Sequence, residues 1–265
     1  RTKPLERTAL MNRLADLIEE NIDEIAQIES LDGGNPVQSI RHVDIPMAVA
    51  GLRSMAGWTD KVAGDTPISA PQGGGLSYVL RQPVGVAGII TPWNAPFLMV
   101  INKIAPALAV GCTCVIKPAE LAPLTALKIA ELSKEAGFPD GVINVVTGYG
   151  QIAGQALMDH PDVNKISFTG STQVGKSILQ SAAATMKRVT LELGGKSPII
   201  VFADADIGKA SAAIAREICF KAGQFCAAGT PRYVEKNIEH ELVSSLARHL
   251  GEVRAGQGRS PGTQT

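Results

Sequence analysis

The chain has 265 residues, enough for one or two domains with buried cores. Hydrophobic residues make up 45% and charged residues 19%, and 25 basic side chains are matched by 25 acidic ones, so nucleic acid and anionic membrane are both excluded as expected partners. The longest apolar runs, at 84–91 and 107–116, fall well short of the roughly 18 residues of a membrane span, and no signal peptide is read.

In chain order, Leu10, Leu14, Leu17, Ile18, Ile22, Ile25 and Ile28 recur at helical spacing and predict one amphipathic helix over 7–32, ended by Gly33-Gly34-Asn35-Pro36. A second helix is expected over 46–61. Two short extended runs around Gly73-Gly74-Gly75 read as a β-hairpin arm over 65–83. A regular alternation follows: strands at 84–91, 113–117, 142–146, 165–169 and 189–193, with helices at 97–111, 123–136, 151–158 and 172–184 between them. Near-continuous apolar strands alternating with helices predict a Rossmann-like parallel sheet with helices on both faces, which binds ligands at the carboxyl ends of its strands. A new unit opens at Gly194-Gly195 with strand 199–202, helix 207–221, strand 232–236 and helix 239–250. Two strands make a poor sheet, so this second α/β domain is expected to be incomplete at Thr265. The expected organisation is a dinucleotide-binding domain over 1–64 and 84–194, a hairpin oligomerisation arm over 65–83, and a partial catalytic domain over 195–265.

The chemistry gathers in five stretches. In Phe220-Lys221-Ala222-Gly223-Gln224-Phe225-Cys226-Ala227-Ala228-Gly229 one cysteine stands among small residues, which give a flat substrate and backbone N–H groups access to the sulfur. Alone it reads more readily as a small buried hydrophobe. Thr91-Pro92-Trp93-Asn94-Ala95-Pro96 follows the first parallel strand; Asn94 can aim its amide at a developing oxyanion or serve as a helix N-cap. Lys117-Pro118-Ala119-Glu120 ends the next strand, where a lysine and a carboxylate can hold a ribose, and the carboxylate disfavours a 2′-phosphate; standing alone, the stretch reads more readily as surface charge in a loop. Phe168-Thr169-Gly170-Ser171-Thr172-Gln173-Val174-Gly175 runs strand, glycine turn, helix N-terminus, a pyrophosphate site without Walker spacing. Leu191-Glu192-Leu193-Gly194-Gly195-Lys196 sets one acid at the end of an apolar strand, where burial favours a general base and a salt bridge is the alternative.

In order and spacing these stretches resemble the aldehyde dehydrogenase superfamily, whose TPWN, KPAE, FTGSTxxG, LELGGKSP and FxxxGQxC patterns stand here from Thr91, Lys117, Phe168, Leu191 and Phe220 onward. The resemblance implies that Cys226 is the nucleophile, Glu192 the general base, and Asn94 with the backbone N–H of Cys226 the oxyanion hole. It implies further that Lys117 and Glu120 hold the adenosine ribose of NAD, that Gly170, Ser171 and Gly175 border the pyrophosphate, and that Trp93 lines the cofactor cleft. The expected reaction is oxidation of a small-molecule aldehyde to a carboxylic acid through a cysteine thiohemiacetal and thioester. NAD is preferred over NADP, and Glu192 favours hydrolysis over transfer to coenzyme A. The chain departs from the family's pattern at Pro231, where a strand should begin, and looks clipped at both ends. The alternative expectation is therefore a non-catalytic NAD-binding fragment of such an enzyme.

Of the four cysteines, Cys112 and Cys114 share one face of a strand and read as core; none has zinc-site spacing, and no metal is expected. A disulfide framework does not suit so long a chain, which makes the cytoplasm the expected compartment. The full-length form is expected to be a homo-oligomer.

Overall fold

The computed structural model describes residues 2–66, 77–229 and 232–265. The apolar spacing expected to form one helix over 7–32 is carried by two, α1 (Pro4–Glu20) and α2 (Ile22–Gly33). The break falls at Asn21, whose side-chain amide donates to the Leu17 carbonyl at 2.8 Å and competes with the helical ladder. Gly34, at φ 78°, closes α2 in the left-handed conformation that glycine tolerates best. A short α3 (Val37–Ser39) runs through a π-helical turn (Ile40–Asp44) into α4 (Ile45–Ala56), so the second helix starts earlier and stops earlier than its sequence pattern predicts.

The expected hairpin arm is not seen in its described part. Residues 77–83 carry no strand, and the two legs touch through single bonds, Val79 N–H to the Asp65 carbonyl at 2.7 Å and the Arg81 guanidinium to the Ala63 carbonyl at 2.8 Å. A lone two-stranded ladder is marginal without a third strand or a packed face. The glycine turn itself lies outside the described residues.

Five parallel strands form the main sheet: β1 (Val86–Ile90), β2 (Thr113–Lys117), β3 (Ile143–Val145), β4 (Val163–Gly170) and β5 (Arg188–Leu193), in the order β3-β2-β1-β4-β5. The helices between them are α5 (Pro96–Ala109), α6 (Leu124–Glu135), α7 (Gln155–Asp159) and α8 (Thr172–Ala183). Side chains alternate across the sheet with period two. Ala87, Ile89, Cys114 and Ile116 pack into the core formed with α1, α2, α4, α5 and α6. Val86, Ile90, Val115, Ile166 and Phe168 pack into the core on the opposite side. Helices therefore lie on both faces, as the sequence predicts.

Coverage of β4 and β5 is one-sided. Their α5-side positions are polar, Lys165, Ser167 and Thr169 on one strand and Arg188, Thr190 and Glu192 on the other, and they line an open cavity. The expectation of near-continuous apolar strands fails here, because these two strands alternate as half-buried strands do.

Beyond Leu193 a smaller unit forms from β6 (Ile199–Val201), α9 (Ile207–Cys219), β7 (Arg232–Val234) and α10 (Glu239–Gly251). β6 and β7 pair in parallel as a two-stranded sheet, and the buried core behind them consists of Val201, Ile214 and Leu242. The position of Pro231 lies outside the described residues. Among the described residues no helix is long and apolar enough to cross a membrane, and no group of three or more His, Cys, Asp or Glu side chains is placed to hold a metal ion.

Candidate active site

Parallel register aligns the strand ends that carry the chemistry. Ile90 pairs with both Lys117 and Phe168, and Thr169 pairs with Glu192, so the loops after β1, β2, β4 and β5 leave the sheet side by side. The order reverses between β1 and β4, which is the crevice where open parallel sheets take ligands.

On the α5 side of β4 and β5 lies a cavity of about 1180 Å³, and its wall brings together Cys226, Phe225 and Glu192. Cys226 is exposed. Glu192 is exposed as well, not buried as its apolar strand predicts, because it occupies the uncovered face of β5. Among the described residues it has no ion pair, so the salt-bridge alternative does not hold there.

Asn94 is not the N-cap of α5; that position is Ala95, which has no side chain to cap with. The Asn94 side-chain amide instead donates to the Gln224 carbonyl at 2.7 Å, two residues before Cys226. A primary amide carries two N–H groups, so this bond fixes its plane and leaves one donor. From the other side, the buried Asn35 donates its amide to the Asn94 backbone carbonyl at 3.1 Å.

The residues expected to hold a dinucleotide lie at the same strand ends. Buried Lys117 ends β2, and its Nζ stands 3.0 Å from Glu120 Oε2. Glu120's own backbone N–H, and then the Lys117 side chain, hold its carboxyl below the usual range. Gly170 ends β4, and Ser171 caps α8 by accepting the Val174 N–H at 3.3 Å, leaving earlier first-turn N–H groups without intrahelical acceptors. A Cβ at Gly175 would lie 2.7 Å from Leu193 Cδ2, so this glycine lets α8 pack closely on β5. Trp93 is exposed in the loop after β1. A free helix N-terminus set close against the sheet, together with a buried ammonium and an accessible carboxylate, fits a dinucleotide.

Strand alternation separates the two sets. Lys117 follows Val115 onto the face covered by α7 and α8, whereas Glu192 lies on the opposite, open face.

Several neighbours escaped the sequence reading. Lys103 lines the cavity, donates to Ser167 Oγ at 3.1 Å, and has its pKa pushed down to about 8 by burial, against the pull of the Glu192 charge. The signal was present: it is the one charged residue in Pro96–Ala109. Glu29 Oε2 accepts the Phe97 N–H at 3.0 Å, and Asp32 Oδ2 accepts the Leu124 N–H at 2.7 Å, so the end of α2 fastens the first turns of both α5 and α6. Lys221 is buried against Asp44.

Comparison with known proteins shows the family. The sequence profile of the aldehyde dehydrogenase family matches residues 1–265. Aldehyde dehydrogenase family 2 member C4 of Arabidopsis thaliana is 47% identical over 252 residues, 95% of this chain and 50% of that protein. The crystal structure of NAD-dependent aldehyde dehydrogenase from Sinorhizobium meliloti superposes with a TM-score of 0.96 at 43% identity, over 100% of this chain and 52% of the other. An NAD+ complex of aldehyde dehydrogenase from Bacillus cereus gives 0.96 at 44% identity, over 99% and 53%. The chain thus spans about half the length of the relatives it matches.

Proposed function

The chain belongs to the aldehyde dehydrogenase family, and from that premise we propose that it oxidises an aldehyde to a carboxylic acid with NAD as hydride acceptor. One observation carries this reading: Cys226 and Glu192 line a single cavity, while the Asn94 amide is tied two residues from the cysteine.

In this reading the Cys226 thiolate adds to the aldehyde carbon, forming the carbon–sulfur bond of a thiohemiacetal. The second Asn94 N–H and the backbone N–H of Cys226 stabilise the charge that develops on oxygen. Collapse of the oxyanion expels hydride from the same carbon and leaves a thioester on Cys226; NAD, when bound, would supply the acceptor for that hydride. Lys117 and Glu120 hold the ribose, while Ser171 and the first turn of α8, made approachable by Gly170 and Gly175, receive the pyrophosphate. Trp93 borders the nucleotide. Glu192 then takes a proton from water, which attacks the thioester, releases the acid and returns the sulfur. Phe225, which lines the cavity and meets Phe220 edge-to-face at 5.3 Å, favours an apolar substrate flank. Preference for NAD over NADP is supported by Glu120, whose carboxylate repels a 2′-phosphate. A cytoplasmic setting accords with four free cysteines; homo-oligomeric assembly through 65–83 belongs to the same reading.

The test is a pair of measurements on the purified chain, thermal melting with and without NAD and NADH production with aldehydes. NAD raises the melting midpoint in wild type and in Cys226→Ala alike, and NADH production falls on the order of a thousandfold or more in the variant. Turnover that survives in Cys226→Ala sinks the assignment. A second reading, NAD binding without turnover, is favoured by the open flank of the cavity; a midpoint shift with no NADH from wild type selects it.

A further inference from the structure

The nucleophile stretch is tethered to the rest of the molecule by a lysine the proposed chemistry does not use. Lys221 lies five residues before Cys226, with its side chain 2% exposed, although Ala222, Gly223 and Gln224 beside it are exposed. Its Nζ stands 2.5 Å from Oδ2 of Asp44, whose side chain is 1% exposed and which ends the π-helical turn before α4. Fully buried Glu29 of α2 acts on the same ammonium electrostatically. A buried ammonium is unfavourable unless paired, so this side chain is committed to its place.

The backbone at the same point is strained. Lys221 and Ala222 adopt φ of 51° and 54°, and Gly223 follows at 76°. Side-chain-bearing residues enter the left-handed region rarely, and they stay there where surrounding contacts enforce it. The ion pair is such a contact. Beyond the turn, the Gln224 carbonyl accepts the Asn94 amide; from the scaffold side, Glu29 accepts the Phe97 N–H and fixes the helix that follows Asn94. One buried cluster thus grips both loops of the candidate site.

We propose that Lys221, clamped by Asp44 and faced by Glu29, is a positioning residue: it holds the left-handed turn at 221–223 and so sets Gln224 and Cys226 against Asn94. The inference deepens the reading of Cys226 as nucleophile and rests on it. The charge pattern of the cluster agrees. Burial pushes Glu29 up to about 7, opposed by Lys221 and the Phe97 N–H and assisted by Asp44 and Asp32, and burial also raises Asp44. Below neutrality a protonated Glu29 leaves one carboxylate for one ammonium.

The test uses Asp44→Asn, which removes the counter-charge and keeps the shape. Tryptic cleavage after Lys221, followed by mass spectrometry, becomes roughly tenfold faster than in wild type, as local opening without global unfolding requires. Site-resolved alkylation of Cys226 by iodoacetamide changes about threefold or more, while the NAD-induced rise in melting midpoint is kept. Lys221→Arg, which keeps a cation opposite Asp44, stays within about twofold of wild type in both readouts, whereas Lys221→Met, which fills similar space without the charge, shows the Cys226 change of Asp44→Asn, an outcome that a purely packing role for the lysine stem does not predict. If Asp44→Asn does not fold, the doubly neutral Asp44→Asn/Lys221→Met chain, which buries no charge, is expected to fold and to show the same change at Cys226. Unchanged cleavage and alkylation in a folded variant overturn the proposal. Loss of cooperative melting in both chains overturns it too, assigning the pair to global stability. None of these readouts needs turnover, so a wild-type chain that makes no NADH counts against the proposed function and leaves this test in force.

Discussion

The five-stranded unit and the smaller unit after Leu193 solve the burial problem differently. In the first, Ile89, Phe97, Ile101 and Ile104 are fully buried in a core shared by one sheet face and five helices, and a second core closes part of the other face. In the second, the hydrophobic core among the described residues is the small cluster Val201, Ile214 and Leu242, and Ile200, Phe202 and Tyr233 are left exposed. The residues proposed to hold the nucleotide belong to the well-packed unit. The proposed nucleophile, Cys226, belongs to the other, which meets the first through the Gln224 contact with Asn94 and the Lys221 contact with Asp44. On the proposed reading, cofactor binding and nucleophile placement rest on separate stability and are open to separate perturbation.

Core truncation breaks the comparison most sharply. Ile89→Ala, in the central strand, is expected to cost about 2–5 kcal/mol and to lower the melting midpoint of the five-stranded unit itself. Leu242→Ala removes a side chain of similar size from the small core, and the NAD-induced shift is expected to survive it. Equal loss of the NAD response in both variants would show that the units melt as one.

A pH titration sharpens the comparison at the joint. Burial pushes the Glu29 carboxyl up to about 7 in the folded chain, from an ordinary value of 4.5. The folded state then binds more protons than the unfolded state between those values, so this contribution to stability is complete below about pH 4.5 and is lost as pH rises through about 7. The span corresponds to about 3 kcal/mol. Glu29→Gln, which keeps an acceptor for the Phe97 N–H, is expected to flatten the fall in urea midpoint between pH 5 and 8, as read by denaturation at each pH. An unaltered slope would mean that other groups carry it.

The smallest expected effect lies within the cofactor unit. Glu120→Ala removes a carboxylate that the proposed reading places on the ribose, a loss of about 1–2 kcal/mol or roughly tenfold in NAD affinity, with NADP narrowed against NAD. Direct titration of both nucleotides checks it, and unchanged affinities would release Glu120 from that role.

Most of the main sheet was legible in the letters. Thr113–Lys117 was bounded correctly by its apolar run, and α5 and α8 fall within two residues of their periodic patterns, because local alternation and turn residues specify these elements. The five stretches were legible as well, since each pairs a reactive side chain with the glycines or prolines its loop needs. Less was legible where a single side chain or a missing partner strand overrides the pattern: Asn21 splits an apolar repeat of seven residues through one local side-chain bond to Leu17, and residues 77–83 remain without a ladder despite a strand-like composition.

What the sequence alone determined is the order and chemistry of the residues: a thiol, a carboxylate, an amide and a glycine-turned helix start, each at the end of a predictable element. What only the tertiary structure decided is which face each occupies and what holds it there. Glu192 stands on an open face because β5 has polar partners on that side, and Lys221 is buried because a carboxylate 177 positions earlier meets it. Period and propensity act over a few residues, whereas the pairing of a buried charge depends on which distant segments the fold brings into contact.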